Sequence, residues 1–281
     1  MTGDLHTHTT FSDGALPAEV LVRIAKNTQL THLAISDHDS CKSVNFAYEY
    51  QKKETNLQLI PATELTAFDF EQGRRVHLLC YYPEQSAALK QFCDEMAARR
   101  NQVCGQSLKE LKQLYPQFDE RMALDFCQDS GVLYKTHLIR VLYELGYTDG
   151  IYKELYKELF GSKNGKVLHD PAYESVETVL QVIKESKGVA VLAHPSVYQS
   201  MNLAKELAQK GLIDGVEIEH PRNTEQDKAE LYTLAREYDL IITGGSDFHG
   251  MHSSRSVVLG QCQTQQEQLK RIEECAQNKR I

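Results

Sequence analysis

Apolar and polar positions alternate at the start of the chain, and His6 and His8 stand two apart on that alternation. Residues two apart in an extended strand point to the same side, so the two imidazoles face one spot. Behind Pro17, which suits a first helical turn, Val20, Leu21, Ile24 and Ala25 recur at helical spacing and predict a helix over 16–27. Apolar runs predict strands over 32–36, 57–63 and 75–80, with a helix over 43–53 between the first two. This strand–helix–strand rhythm belongs to parallel strands joined by helical crossovers.

The rhythm stops after Pro83. From 84 to 169 the spacing is helical throughout, with helices over 87–114, 119–129, 136–145 and 151–160 and a loop at 161–166. It then resumes, with helices over 176–187, 202–210, 225–238 and 264–278 and strands over 188–193, 215–219 and 240–243. About seven strands alternating with helices predict an α/β fold, an irregular barrel of parallel strands. Residues 1–83 and 170–281 form the barrel in this reading, and 84–169 is an all-helical insertion expected to serve as a lid or substrate domain.

Composition narrows the classes. With 281 residues and 41% hydrophobic content, the chain can bury a large single core, and 25% charged residues is ordinary for a folded protein. A net charge of -8 argues against a stable DNA complex, although a local cation cluster or bound metal still attracts an anionic substrate. Seven cysteines without a C-x-x-C pair read as reduced thiols. No basic-plus-apolar leader and no run of membrane-spanning length are evident, so the expectation is a cytoplasmic protein with no membrane partner.

The candidate chemistry sits where strands end. His6, His8, Asp13, His38, Glu64, His77, His194, Asp247 and His249 all fall at or just after expected strand C-termini, which share one face in a parallel barrel. Each residue alone has an ordinary reading: Asp13-Gly14 as a turn, Asp247 as a helix cap, a lone histidine as core or surface. Together they exceed what one ion takes, and imidazoles with bridging carboxylates suit Mn, Zn or Fe, with Mg also admissible. Two or three divalent ions and phosphate-ester hydrolysis follow as the expected cofactors and chemistry. His32, His169 and His252 lack such placement and read as structural or surface residues. Glu217 and His220 close another strand and are candidates for orienting a ligand or, for His220, donating a proton.

Asp4-Leu5-His6-Thr7-His8-Thr9 with Ser12-Asp13-Gly14, Ser36-Asp37-His38-Asp39, Thr63-Glu64, Ala193-His194-Pro195 and Gly245-Ser246-Asp247-Phe248-His249 resemble the PHP (polymerase and histidinol phosphatase) family of metal-dependent phosphoesterases. The resemblance implies a distorted (β/α)7 barrel with a trinuclear site. It assigns His6, His8, Glu64 and Asp247 to one metal, Asp13, His38 and His249 to a second, and Glu64, His77 and His194 to a third. Catalysis would rest on Glu64, Asp13 and His220. Aspartate at 13, where many trinuclear members carry histidine, resembles the branch acting on nucleotides and short RNA. Tyr134-Lys135-Thr136-His137-Leu138-Ile139-Arg140 is similar to that branch's Thr-Arg-x-His-x-Ala-Arg segment, with Lys135 in place of arginine. It implies Lys135, His137 and Arg140 as substrate contacts, joined by Lys163 and Lys166 from the 161–166 loop. The implied substrate is a 3',5'-bisphosphonucleoside, cut at its 3'-phosphate, or a short RNA end. Histidinol phosphate is the rival substrate, against which Asp13 and the long insertion speak. A non-catalytic PHP binding module is the rival class, against which the full ligand set speaks.

Overall fold

The computed structural model describes residues 1–51 and 56–281. In chain order the elements are β1 (Thr2–Thr7), α1 (Ala18–Lys26), β2 (His32–Ile35), α2 (Cys41–Gln51), β3 (Gln58–Asp69), β4 (Arg74–Tyr81), α3 (Ala87–Leu114), α4 (Glu120–Phe126), α5 (Lys135–Glu144), α6 (Glu154–Phe160), β5 (Glu174–Ser175), α7 (Val176–Glu185), β6 (Val189–Leu192), α8 (Met201–Gln209), β7 (Gly215–Glu219), α9 (Glu225–Glu237), β8 (Ile241–Gly244), β9 (Thr264–Gln265) and α10 (Gln266–Arg280). The expected helix over 43–53 begins two residues earlier, at Cys41, and its last two residues lie outside the described ones.

One sheet runs β8-β7-β6-β4-β3-β2-β1-β9, with β5 paired to β3. Its two ends meet where the chain beyond β8 returns to β1: Asp247 N donates to His6 O at 2.8 Å and His8 N to Phe248 O at 2.9 Å. Gly245 permits this seam, because a Cβ there would lie 2.3 Å from His6 Cβ. The result is a nearly closed barrel whose strands are clothed by helices.

The sheet is not wholly parallel, which corrects the sequence reading. β3 and β4 form an antiparallel hairpin from Ala62↔Tyr81 to Asp69↔Arg74, and β4 is also antiparallel to β6. The turn between them is closed by Asp69, whose Oδ1 accepts from Glu71 N and Gln72 N at 3.0 Å, and by Gly73 at φ +64°. β3 therefore runs on past the expected end at Thr63, and Glu64 and His77 stand inside strands rather than beyond them. The two-residue strands β5 and β9 are too short to leave a period in the sequence.

Helix α3 occupies the full 87–114 span, capped by Ser86, whose Oγ accepts from Leu89 N at 3.1 Å. Leu89, Phe92, Cys93 and Met96 on its first half belong to the apolar cluster that also contains Leu65, Leu78, Leu192 and Val216 of the barrel. Cys104, Leu108 and Leu111 on its second half pack in a separate cluster with Leu138, Leu142, Leu159 and Phe160 of α5 and α6. All seven cysteines are free. Among the described residues no helix is long and apolar enough to cross a membrane.

Candidate metal centre

Distant segments deliver the nine expected ligands to one place, and Glu64 is at its middle. Its Oε2 lies 3.3 Å from His6 Nε2, 3.4 Å from His8 Nε2 and 2.9 Å from His38 Nδ1. Its Oε1 lies 2.9 Å from His77 Nδ1 and 3.0 Å from His194 Nε2. Asp247 Oδ1 is 3.4 Å from His8 Nε2 and 3.6 Å from His6 Nε2, and Asp13 Oδ1 is 3.3 Å from His249 Nε2. The ligand atoms form four overlapping groups: His8, Asp13, His38 and His249; His6, His8 and Asp247; His6, Glu64 and His194; His38, Glu64 and His77. Within each group they lie within 4.8 Å of one another.

The donor set fits metal ions. His6 Nε2, both ring nitrogens of His8, His38 Nδ1, His194 Nδ1 and Glu64 Oε2 are buried and find no hydrogen-bond partner among the described residues. Burying such atoms unpaired is costly, and divalent cations would satisfy them. The electrostatics agree. Burial raises the Glu64 carboxyl, but His77, His6 and His38 outweigh it and hold the group well below the usual carboxylate range. Burial, with His249 and His38 beside it, pushes His8 down to about 3, so its ring is a neutral donor at physiological pH.

Carboxylates behind the ligands fix them in place. Glu217 Oε1 lies 2.9 Å from His6 Nδ1, which places the proton there and turns the Nε2 lone pair inward, and its Oε2 accepts from His194 N at 2.9 Å. Asp4 accepts from Ser246 N at 2.9 Å, Ser246 Oγ at 2.6 Å and Gly260 N at 2.8 Å, tying the last site loop to β1. Asp37 accepts from Thr9 N at 2.8 Å, Thr9 Oγ1 at 2.6 Å and Ser12 Oγ at 2.5 Å, which fixes the turn carrying Asp13. Asp39 grips Thr66 and the guanidinium of Arg100. Asp39, His194 and Asp247 hold φ of +47°, +27° and +52°, a strained backbone sustained by these bonds.

The cluster opens into a cavity of about 320 Å³, lined also by Arg75, Arg100, Lys135, His220 and a wall of tyrosines at 134, 152, 156, 173 and 198. His220 is buried; its Nδ1 accepts from Arg222 N at 3.2 Å, and its Nε2 faces Asp247 Oδ2 at 3.5 Å.

The expected substrate contacts divide. Lys135 reaches the cavity, where it is paired with Asp170 at 2.7 Å. Arg140 lies over the Phe126 ring at 4.0 Å and does not line the cavity. It stands five positions along the helix from Lys135, so it points about 140° away. His137 is buried with its Nδ1 accepting from Tyr134 N at 3.2 Å, which caps α5 instead of facing substrate. Lys163 borders a different surface hollow, with Lys157 and Glu158, and Lys166 pairs with Glu158 at 2.6 Å. His169 and His252, which end no strand, do border the cavity, and His252 Nδ1 donates to Asp13 O at 2.8 Å. Arg75, Arg100 and the tyrosines carried no local sequence signal; only the β4 alternation, which puts Arg75 on the His77 face, pointed to one of them.

A barrel with histidines and carboxylates gathered at its mouth beside a cation-bearing cavity defines a metal-dependent hydrolase of phosphate esters. The PHP domain matches residues 4–190, and the chain belongs to that family. It is 36% identical over 252 residues to the phosphoribosyl 1,2-cyclic phosphate 1,2-diphosphodiesterase of Eggerthella lenta, covering 89% of this chain and 95% of that protein. It is 29% identical over 255 residues to the 5'-3' exoribonuclease Rnm of Escherichia coli, covering 88% and 84%. A Bifidobacterium adolescentis structure described as a metal-dependent phosphoesterase superposes with a TM-score of 0.86 at 26% identity, over 97% of this chain and 96% of that one.

Proposed function

We propose that this chain hydrolyses a phosphate ester on a ribose that bears a second phosphoryl group: the 3'-phosphate of a nucleoside 3',5'-bisphosphate, or the 5' end of a short RNA. The observation that carries this reading is the tyrosine wall in the same cavity as the histidine–carboxylate cluster. Nucleobases stack on aromatic faces, and a site built only for a sugar phosphate needs no such surface. The names of the Escherichia coli exoribonuclease and of a Chromobacterium violaceum 3',5'-nucleoside bisphosphate phosphatase, 28% identical over 260 residues, support the same class.

Two or three divalent ions (Mn, Zn or Fe, with Mg admissible) would be held by the nine ligands. His6, His8 and Asp247 form one grouping, without the Glu64 expected at the first ion position, and Asp13, His38 and His249 form another together with His8. At the third, His77 groups with His38 and His194 with His6, both through Glu64. Bound there, such ions supply Lewis acidity toward a phosphoryl oxygen and acidify water. The chain's own residues do the rest. Glu217 keeps His6 in one tautomer. His252 holds the Asp13 backbone. His220, with its Nδ1 accepting from the backbone, keeps its proton at Nε2, where it is available to a departing ester oxygen.

Chelator treatment lowers the rate at least about 100-fold, and added divalent ion restores it. Elemental analysis of the untreated protein checks the same point, and less than about one ion per chain would return the non-catalytic reading. Lys135→Ala raises KM for a nucleoside bisphosphate about 3- to 10-fold, a modest effect because Asp170 already pairs with this cation, and changes an aryl phosphate less. Equal changes on both would place Lys135 away from the distal group.

The substrate test is a side-by-side assay that reads phosphate release from a nucleoside 3',5'-bisphosphate, phosphoribosyl 1,2-cyclic phosphate and histidinol phosphate, and mononucleotide release from a 5'-phosphorylated oligoribonucleotide. Fastest turnover of a nucleotide or RNA is the expected result, and fastest turnover of histidinol phosphate would sink the reading. The 36% identity to the Eggerthella lenta enzyme favours the cyclic phosphate as second reading, and fastest turnover of that compound establishes it.

A further inference from the structure

The cations around the cavity are not equivalent. Arg100 is taken up by Asp39 and Thr66, and Lys135 by Asp170, while Arg222 and Arg255, which also border the cavity, are exposed where Arg75 is half-buried. Arg75 has no carboxylate within ion-pair distance among the described residues, and its guanidinium lies 5.6 Å from the centre of the Tyr198 ring. Tyr198 in turn packs edge-on against His77 at 4.9 Å between ring centroids. Arg75 and His77 are two apart on β4, so their side chains leave the same face of the strand about 6.6 Å apart. Both border the cavity. A planar, permanently charged fork is thus offered in the same cavity as the metal cluster, beside an aromatic ring, with the Asp170 carboxylate in electrostatic reach but not ion-paired with it.

We propose that Arg75 binds the second, non-scissile phosphoryl group of the substrate and thereby selects doubly phosphorylated riboses. This deepens the functional reading above and rests on it. A guanidinium grips a phosphate through two parallel N–H donors, and the Tyr198 ring lies beside that fork at 5.6 Å. His77 and Glu64 stand on the scissile side, Arg75 on the distal side, and Lys135 with Asp170 completes the distal wall. The arrangement separates two tasks: the histidines and carboxylates act on the ester that breaks, and Arg75 measures whether another phosphoryl group is present.

The experiment compares a nucleoside 3',5'-bisphosphate with the matching nucleoside 3'-monophosphate, for the unaltered chain and for Arg75→Ala and Arg75→Lys, each with its metals. Arg75→Ala raises KM for the bisphosphate about 10- to 100-fold, with kcat within a few-fold and the monophosphate nearly unchanged. Arg75→Lys, which keeps charge without the fork, falls between. Equal changes on both substrates, or none on either, overturn the assignment. Thermal unfolding of both variants shows whether they fold, and if alanine does not, the lysine variant decides by the same ratio. Failure of the functional reading is visible separately: the unaltered chain would then show no preference for any doubly phosphorylated ribose. That outcome overturns the Arg75 assignment as well, since no second phosphoryl group is read.

Discussion

Replacing Glu64 with glutamine lowers phosphate release on the order of 100- to 1,000-fold and reduces the metal content of the purified protein. The geometry explains why one atom pair matters so much. The two carboxylate oxygens face five imidazoles, three through Oε2 and two through Oε1, at 2.9 to 3.4 Å. Glutamine keeps the shape but removes the charge and turns one oxygen into a donor, which faces ring nitrogens and cations with the wrong polarity. Both metal groupings that include Glu64 weaken at once. Steady-state kinetics with elemental analysis on the same preparation checks this. Full metal content at the full rate would show that Glu64 is not a ligand.

Arg100→Ala destabilises the fold by about 3 to 5 kcal/mol, because it strands a buried carboxylate. Asp39 is 1% exposed at its side chain and Arg100 14%, and Arg100 also contacts Thr66 and stacks over Tyr134 at 5.1 Å. This pair joins α3 to the turn behind His38, so the damage reaches the site. Denaturant unfolding with and without added metal measures it. The double variant Arg100→Met with Asp39→Asn recovers part of the loss, since both charges then leave together. A loss under about 1 kcal/mol for Arg100→Ala would show that the pair is solvated.

Most of the candidate ligands were legible because they close or follow a strong local pattern; Glu64 and His77 stand inside β3 and β4 instead. His6 and His8 share a strand face, and His38, His194, Asp247 and His249 follow short apolar runs that could only be strands. The direction of β4 was not legible in the same way. A hairpin signal was present in Asp69 and Gly73, yet a rhythm of parallel units on either side overrode it. The substrate side was less legible still. Lys135, His137 and Arg140 are neighbours in sequence, but a helix turns them to three different directions, and only one meets the cavity. Arg75, Arg100 and the tyrosines come from separate elements that meet only through packing.

The 28-residue α3 is about 42 Å long, and its two halves are seated in different apolar clusters. Such a rod works as a beam joining two masses. Tilting it would pull Leu89 and Met96, or Leu108 and Leu111, out of their seats, so a swing of the helices packed on its second half has to carry or bend the rod.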